Sequence, residues 1–143
     1  MTDSYLPSGL PAPAPDRDGV DTEFWEAARR HQLAVQRCRA CGTFQAPAEW
    51  VCHRCHSRDL GWETRSGRGS VFSWIRVHHA AHPALRQALP YLVVLVELAD
   101  TDGVRLIGNL LGPTDQEVTI GDAVEAVFED HEGGYTLVQW RRI

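Results

Sequence analysis

Residues 38–55, "CRACGTFQAPAEWVCHRC", hold every cysteine of this chain as two CxxC pairs, Cys38/Cys41 and Cys52/Cys55, with ten residues between them. A zinc ion takes four soft or borderline ligands in a tetrahedron, and a CxxC turn presents two sulfurs from one knuckle with backbone N–H groups aimed at them. Two such knuckles joined by a loop that doubles back complete the sphere. Gly42 follows the first knuckle, where the tight turn favours glycine, and His56 fills the matching place in the second, where it suits the turn less well. Four cysteines leave no open position for water or substrate, so the spacing predicts a structural zinc ribbon rather than a reactive metal. Iron in the same sphere or a disulfide pair are the alternatives; neither His53 nor His56 is needed as a ligand. Zinc binding contributes on the order of 10 kcal/mol to folding such a segment.

The rest of the composition explains why a clasp is useful. In a chain of 143 residues, a segment of about 25–30 residues cannot bury a core of its own. Hydrophobic content of 43% with 23% charged residues is that of a soluble globular protein. The longest apolar run, "YLVVLV", is strand-sized and far short of the roughly 18 residues that cross a bilayer. Residues 1–20 lack the basic and apolar regions of a secretory signal. A cytoplasmic location is therefore expected, where paired cysteines more often bind metal than form disulfides. The net charge of −5 is segregated: residues 1–28 carry −5, residues 29–86 carry +7 and residues 87–143 carry −7. The basic middle suits an anionic ligand, unless the acidic ends fold over it.

Along the chain, residues 1–19 form a Pro-rich extended leader without structure of its own. Residues 20–34 read as a short helix, with Asp21 or Thr22 as cap and Phe24, Trp25 and Ala28 as its apolar stripe. That stripe either packs on its own domain or, given two large aromatics, docks Phe24 and Trp25 on a partner. The ribbon occupies 35–61. From 62 to 143 the pattern is strands: "GRGSVFSWIRVH", "YLVVLVEL" (apolar on both faces, as if enclosed on both sides), "VRLIGNLL", "AVEAVFED" and "YTLVQWRRI". Gly121 and Asp122 of "TIGD" form a turn that needs a positive φ and a side-chain tie. The fold class is mainly β: an N-terminal helix, a zinc ribbon, then a five-stranded OB-fold barrel.

No catalytic constellation stands out, and no catalytic residue is assigned. "HHAAH" places His78 and His82 four apart, but without an HExxH pattern and beside Pro83 it reads as loop. "SGRG", residues 66–69, brings Arg68 to a flexible turn that can approach a phosphate.

The series "FWEA", the paired knuckles with "CG", "LGWETRSGRGSVFSW", Pro90 opening the second barrel strand, and "TIGDAV" resembles, over about residues 20–140, the family long catalogued as domain of unknown function 35. "CHRCHS" departs from the family's usual proline and glycine in the second knuckle. The resemblance implies a rubredoxin-like zinc ribbon on an acyl-CoA-associated OB-fold. It implies an accessory subunit, in hetero-oligomers, of thiolase-like enzymes: thiolases, aldolases of steroid side-chain breakdown, or acyltransferases. In other members the partner is an enoyl-CoA hydratase. Arg68, Arg76, Arg86 and His78 are the contacts to coenzyme A that this resemblance leads us to expect, since its phosphates suit arginine. A single-stranded nucleic acid is the remaining alternative. The net charge and the lack of basic residues interleaved with aromatics across the middle strands speak against it.

Overall fold

Helix α1 (Thr22–Arg29) is shorter than the 20–34 segment, and its ends show why. At the C-terminus His31 adopts φ 57°, and the amides of Arg30, His31 and Gln32 return to the carbonyls of Ala27 and Ala28. This left-handed stop frees Leu33 and Ala34 to begin a strand. At the N-terminus Asp21 holds the cap position without capping: its carboxylate accepts the Trp25 indole N–H at 3.0 Å. The Thr22 hydroxyl donates to the Gly19 carbonyl instead. Ala27 and Ala28 are fully buried and Phe24 packs on the chain's own core, while Trp25 meets Phe24 edge to face at 5.5 Å.

In this computed structural model, residues 4–13, 15–16 and 18–143 are described; positions 1–3, 14 and 17 of the expected leader lie outside the described residues. A three-stranded sheet, order β2-β1-β3, is made of β1 (Leu33–Cys38), β2 (Phe44–Gln45) and β3 (Leu60–Arg65). Because β3 runs to Arg65, the ribbon sheet continues past position 61, where the sequence reading divides the chain. Gly67, at φ 77°, then turns the chain into the barrel.

The five barrel strands are β4 (Arg68–Val77), β5 (Tyr91–Leu98), β6 (Arg105–Asn109), β7 (Ala123–Asp130) and β8 (Thr136–Arg142), in order β6-β5-β4-β7-β8. A parallel bridge between Leu110 and Trp140 closes the cylinder, and the Leu111 amide donates to the Trp140 carbonyl at 2.7 Å. This is the five-stranded OB barrel the sequence predicts. The "TIGD" turn also forms as read, with Gly121 at φ 98° and the Asp122 carboxylate accepting the Thr119 amide. Leu92, Val94, Val96 and Leu98 alternate into the core beside Val71, Val124 and Trp140, and Leu33, Val35 and Phe44 of the ribbon join the same cluster. Ribbon and barrel therefore share one core.

One expectation changes. The outer side chains of β5 (Tyr91, Val93, Leu95) are only half-buried, so this strand is enclosed on one side, not two. The described leader, which holds no helix or strand, is tied to the barrel: Ser4 Oγ and the Tyr5 amide donate to Glu129, and the Leu92 amide donates to the Tyr5 hydroxyl. Glu129, 3% exposed, also meets Gln139 and His131. A buried carboxylate needs donors, and the leader supplies two of them. The "HAAHPALRQALP" segment holds a single 3-10 turn, Pro83–Leu85, started by His82 accepting the Ala84 amide.

Where α1 ends, His31 ties it to β7. Its Nε2 lies 2.9 Å from Asp130 and its ring stacks on Phe128. The Thr136 hydroxyl, and after it His31, hold the Asp130 carboxyl below its ordinary range. A depressed folded-state pKa contributes stability above the unfolded carboxylate pKa, and that stability is lost as pH falls through the depressed value. Thr136→Val is therefore expected to move the Asp130 titration upward, read by carboxyl-carbon NMR, and to loosen α1 at a higher pH on acidification. An unmoved Asp130 titration would mean the hydroxyl has no such effect.

Candidate metal centre

Cys38 ends β1; its amide donates to the Thr43 carbonyl and its carbonyl accepts the Gly42 amide at 2.8 Å. The second knuckle repeats this pattern, Cys52 pairing with Ser57 and with the His56 amide at 2.9 Å. The Arg54 and Cys55 amides point at the Cys52 sulfur, at 3.4 and 3.5 Å. Both turns need a left-handed residue at the same place: Gly42 at φ 78° and His56 at φ 62°. Histidine there carries a steric cost that glycine does not. His56→Gly is expected to raise the stability of the ribbon by about 0.5–1 kcal/mol, measured as a higher denaturation midpoint at unchanged zinc content. A lower midpoint would show that His56 makes a contact worth more than the strain.

The four sulfurs lie within 4.8 Å of one another. Cys38–Cys55 and Cys41–Cys52 are each 3.6 Å apart across the knuckles. Zn–S bonds of about 2.3 Å require tetrahedral S···S edges of about 3.8 Å, so this donor set fits a zinc ion with little movement. The sphere is filled by protein, so a bound zinc supplies cross-linking, not reactivity. Cys38 and Cys52 are buried, and Cys41 and Cys55 face solvent. The side-chain hydroxyl and then the backbone of Thr43 hold the Cys41 thiol down at about 6, toward the thiolate that a metal needs. His53 and His56 lie outside the sphere. The His53 amide and Nδ1 both approach Gln45 Oε1, at 2.9 and 3.0 Å.

Two buried glutamines that sequence reasoning missed stand behind the clasp. Gln36 and Gln45, neighbours across β1 and β2, join through Gln45 Nε2 and Gln36 Oε1 at 2.7 Å. Only their place opposite each other in a short strand pair reveals them. On the face of the sheet away from the glutamines, Arg37 and Arg65 lie over the Phe44 ring, at 4.6 and 4.9 Å from its centre, and share Glu63.

The other sequence-selected residues do not gather at one point. Arg68 starts β4, and Arg76 stands eight residues on, about 25 Å along the strand. Arg76 donates to the carbonyls of Thr114 and Gln116 and lies over the Trp74 ring, so its fork is used to fasten the loop before β7. Arg68, His78 and Arg86 are exposed, with His78 and Arg86 in the β4–β5 connection. Trp25 lines a cleft with Pro13, Pro15 and Tyr135, so the leader reaches the helix. No helix of the described residues is long and apolar enough to cross a membrane.

Comparison with known proteins agrees with this construction. Two family models match consecutive stretches: the ChsH2 rubredoxin-like zinc ribbon domain over residues 25–61 and the ChsH2 C-terminal OB-fold domain over 62–129. The chain is 44% identical over 92% of its length to a "Probable enoyl-CoA hydratase alpha subunit" of Thermomonospora curvata, covering 39% of that protein. It is 33% identical over 98% of its length to the "3-oxo-4,17-pregnadiene-20-carboxyl-CoA hydratase alpha subunit" of Mycobacterium tuberculosis, covering 42% of it. The chain thus spans about two fifths of the length of these two relatives. A "DUF35 domain-containing scaffold protein" of Methanocaldococcus jannaschii is 33% identical, over 82% of this chain and 86% of that one. Among solved structures, a chain of the "Ltp2-ChsH2(DUF35) aldolase" superposes with a TM-score of 0.78 at 37% identity, covering 92% of this chain and 98% of that one. By sequence, by fold and by its four-cysteine clasp, the chain belongs to the DUF35 family, as a ChsH2-type zinc ribbon joined to an OB-fold.

Proposed function

We propose that this chain is a non-catalytic subunit that binds and supports a thiolase-like acyl-CoA enzyme, in a hetero-oligomer. One observation carries the reading: the chain matches, nearly end to end, a chain of the "Ltp2-ChsH2(DUF35) aldolase". The filled sulfur sphere agrees with it, since the residues best placed for chemistry are taken up in holding the ribbon. In this reading the barrel lies beside the partner's CoA channel. Exposed Arg86 and His78 in the β4–β5 connection are available to the ligand's phosphates, with Arg68 a separate contact at the far end of β4 and Arg76 positioning the adjoining loop. The pyrophosphate and 3′-phosphate of coenzyme A are well separated, so the contacts need not converge.

A second reading has specific support. The two hydratase alpha subunits named above make an enoyl-CoA hydratase an alternative partner. Co-expression with a thiolase-like enzyme, or with an enoyl-CoA hydratase, from the same organism, followed by size exclusion, decides between them. The expected result is one peak holding this chain and the thiolase-like enzyme. Elution of this chain alone beside that enzyme overturns the first reading, and a shared peak with the hydratase installs the second.

A further inference from the structure

The loop between the knuckles is held with unusual care at one point. Gln36 and Gln45 are 3% and 5% exposed, and their amides grip the backbone on both sides of Trp50. Gln36 Nε2 donates to the Glu49 carbonyl at 2.9 Å, and the Glu49 amide donates back to Gln36 Oε1 at 3.0 Å. Gln45 Nε2 donates to the Val51 carbonyl at 3.1 Å. Cys52, fully buried, follows immediately and ties the loop to the metal centre. Yet the Trp50 side chain itself is 68% exposed and Val51 39%. Burying two amides costs free energy unless every polar atom is used. Here that use rigidifies the backbone around an indole that touches solvent.

From this we infer that Trp50 is a preorganised anchor for the enzyme subunit, inserting into an apolar pocket on that partner. The inference deepens the proposed function and rests on it. Tryptophan is the residue type that most often dominates protein interfaces, and a rigid presentation lowers the entropy lost on binding. Arg37, Arg39 and Arg65 are paired with Glu63 and Asp59. Among the described residues Arg54 and Arg58, and likewise the acids Glu49 and Asp102, have no ion pair, so the unpaired charges balance and the indole itself carries the contact. Across a cleft of ≈ 570 Å³, lined by Pro47, Glu49 and His53 on one side and Asp102, Gly103 and Arg105 on the other, lies the β5–β6 hairpin. Beyond it the outer barrel face carries Phe72, Ile75 and Ile107, 41%, 56% and 70% exposed. Ile107 adjoins Leu95, which adjoins Ser73, so these side chains share one three-stranded face. That face extends the contact beyond a single side chain, as an interface of ordinary size requires. A single-stranded nucleic acid fits less well, because it needs several stacking platforms along a basic groove.

The test measures binding of a purified thiolase-like enzyme, the partner found by co-expression, to wild type and variants. Trp50→Ala is expected to weaken binding by about 30-fold or more, with zinc content and melting temperature unchanged. Trp50→Phe is expected to recover part of the loss. Ile143→Ser, at an exposed residue of the chain, is expected to leave binding unchanged. Wild-type affinity in Trp50→Ala overturns the anchor while leaving the proposed function standing. Absence of wild-type binding overturns both. Trp50-dependent binding of a labelled oligothymidine in place of the enzyme assigns the anchor to nucleic acid and overturns it likewise.

Discussion

A Cys38→Ser chain is expected to purify with less than a tenth of the zinc of wild type and to lose the folded ribbon. Cys55→Ser should do the same, although its sulfur is exposed. Removing one thiolate leaves three ligands and an open position, and the binding energy at stake, on the order of 10 kcal/mol, is comparable to the whole stability of a domain. The loss should not stop at the ribbon. Leu33, Val35 and Phe44 belong to the same apolar cluster as Val71, Leu92 and Trp140, so the barrel loses part of its wall when the clasp opens. Elemental analysis and a thermal unfolding curve check this together. Wild-type metal content and one unchanged transition in Cys38→Ser would remove the structural role assigned to the site. Acid should mimic the mutation, because protons compete with zinc for the thiolates and the metal leaves as pH falls.

Trp140→Ala is expected to destabilise the barrel by about 3–5 kcal/mol. The side chain is fully buried and sits where β8 crosses back to meet Leu110 and close the cylinder. Its depth is made possible by Gly108 on β6. A Cβ at that position would lie 2.8 Å from Trp140 Cδ1 and 2.8 Å from the Val138 carbonyl oxygen. Gly108→Ala is therefore expected to cost about 1–3 kcal/mol by overpacking. The two sites touch, so their effects should not add: Gly108→Ala should cost less in a Trp140→Leu background, where the indole edge is gone. Denaturant midpoints of the four chains give the coupling. Strict additivity would mean that the Val138 backbone, not the indole, is what Gly108 makes room for.

The clasp was legible from spacing alone because its chemistry is local. Two CxxC turns need only their own few residues to present four sulfurs, and the different residues after each knuckle already indicated where strain would sit, at His56. The strands of the barrel were legible for a similar reason, since alternation and turn residues are written within each segment. Partner exchange was not. The carboxylate of Asp21 went to the Trp25 indole instead of the helix amides, and Arg76 went to two loop carbonyls. Each competes for groups that only a folded neighbour supplies. The same holds for β5, whose outer apolar residues look buried in a sequence that cannot say what lies opposite.

From its order of residues this chain determined a four-sulfur clasp, five barrel strands and a turn at Gly121, because those depend on contacts between near neighbours. The shared core, the leader tied to Glu129, the paired glutamines behind Trp50 and the separation of Arg68 from Arg76 were decided only in three dimensions. They depend on which distant segments meet, and the enthalpy of a hydrogen bond or the burial of a side chain exists only once both sides are present.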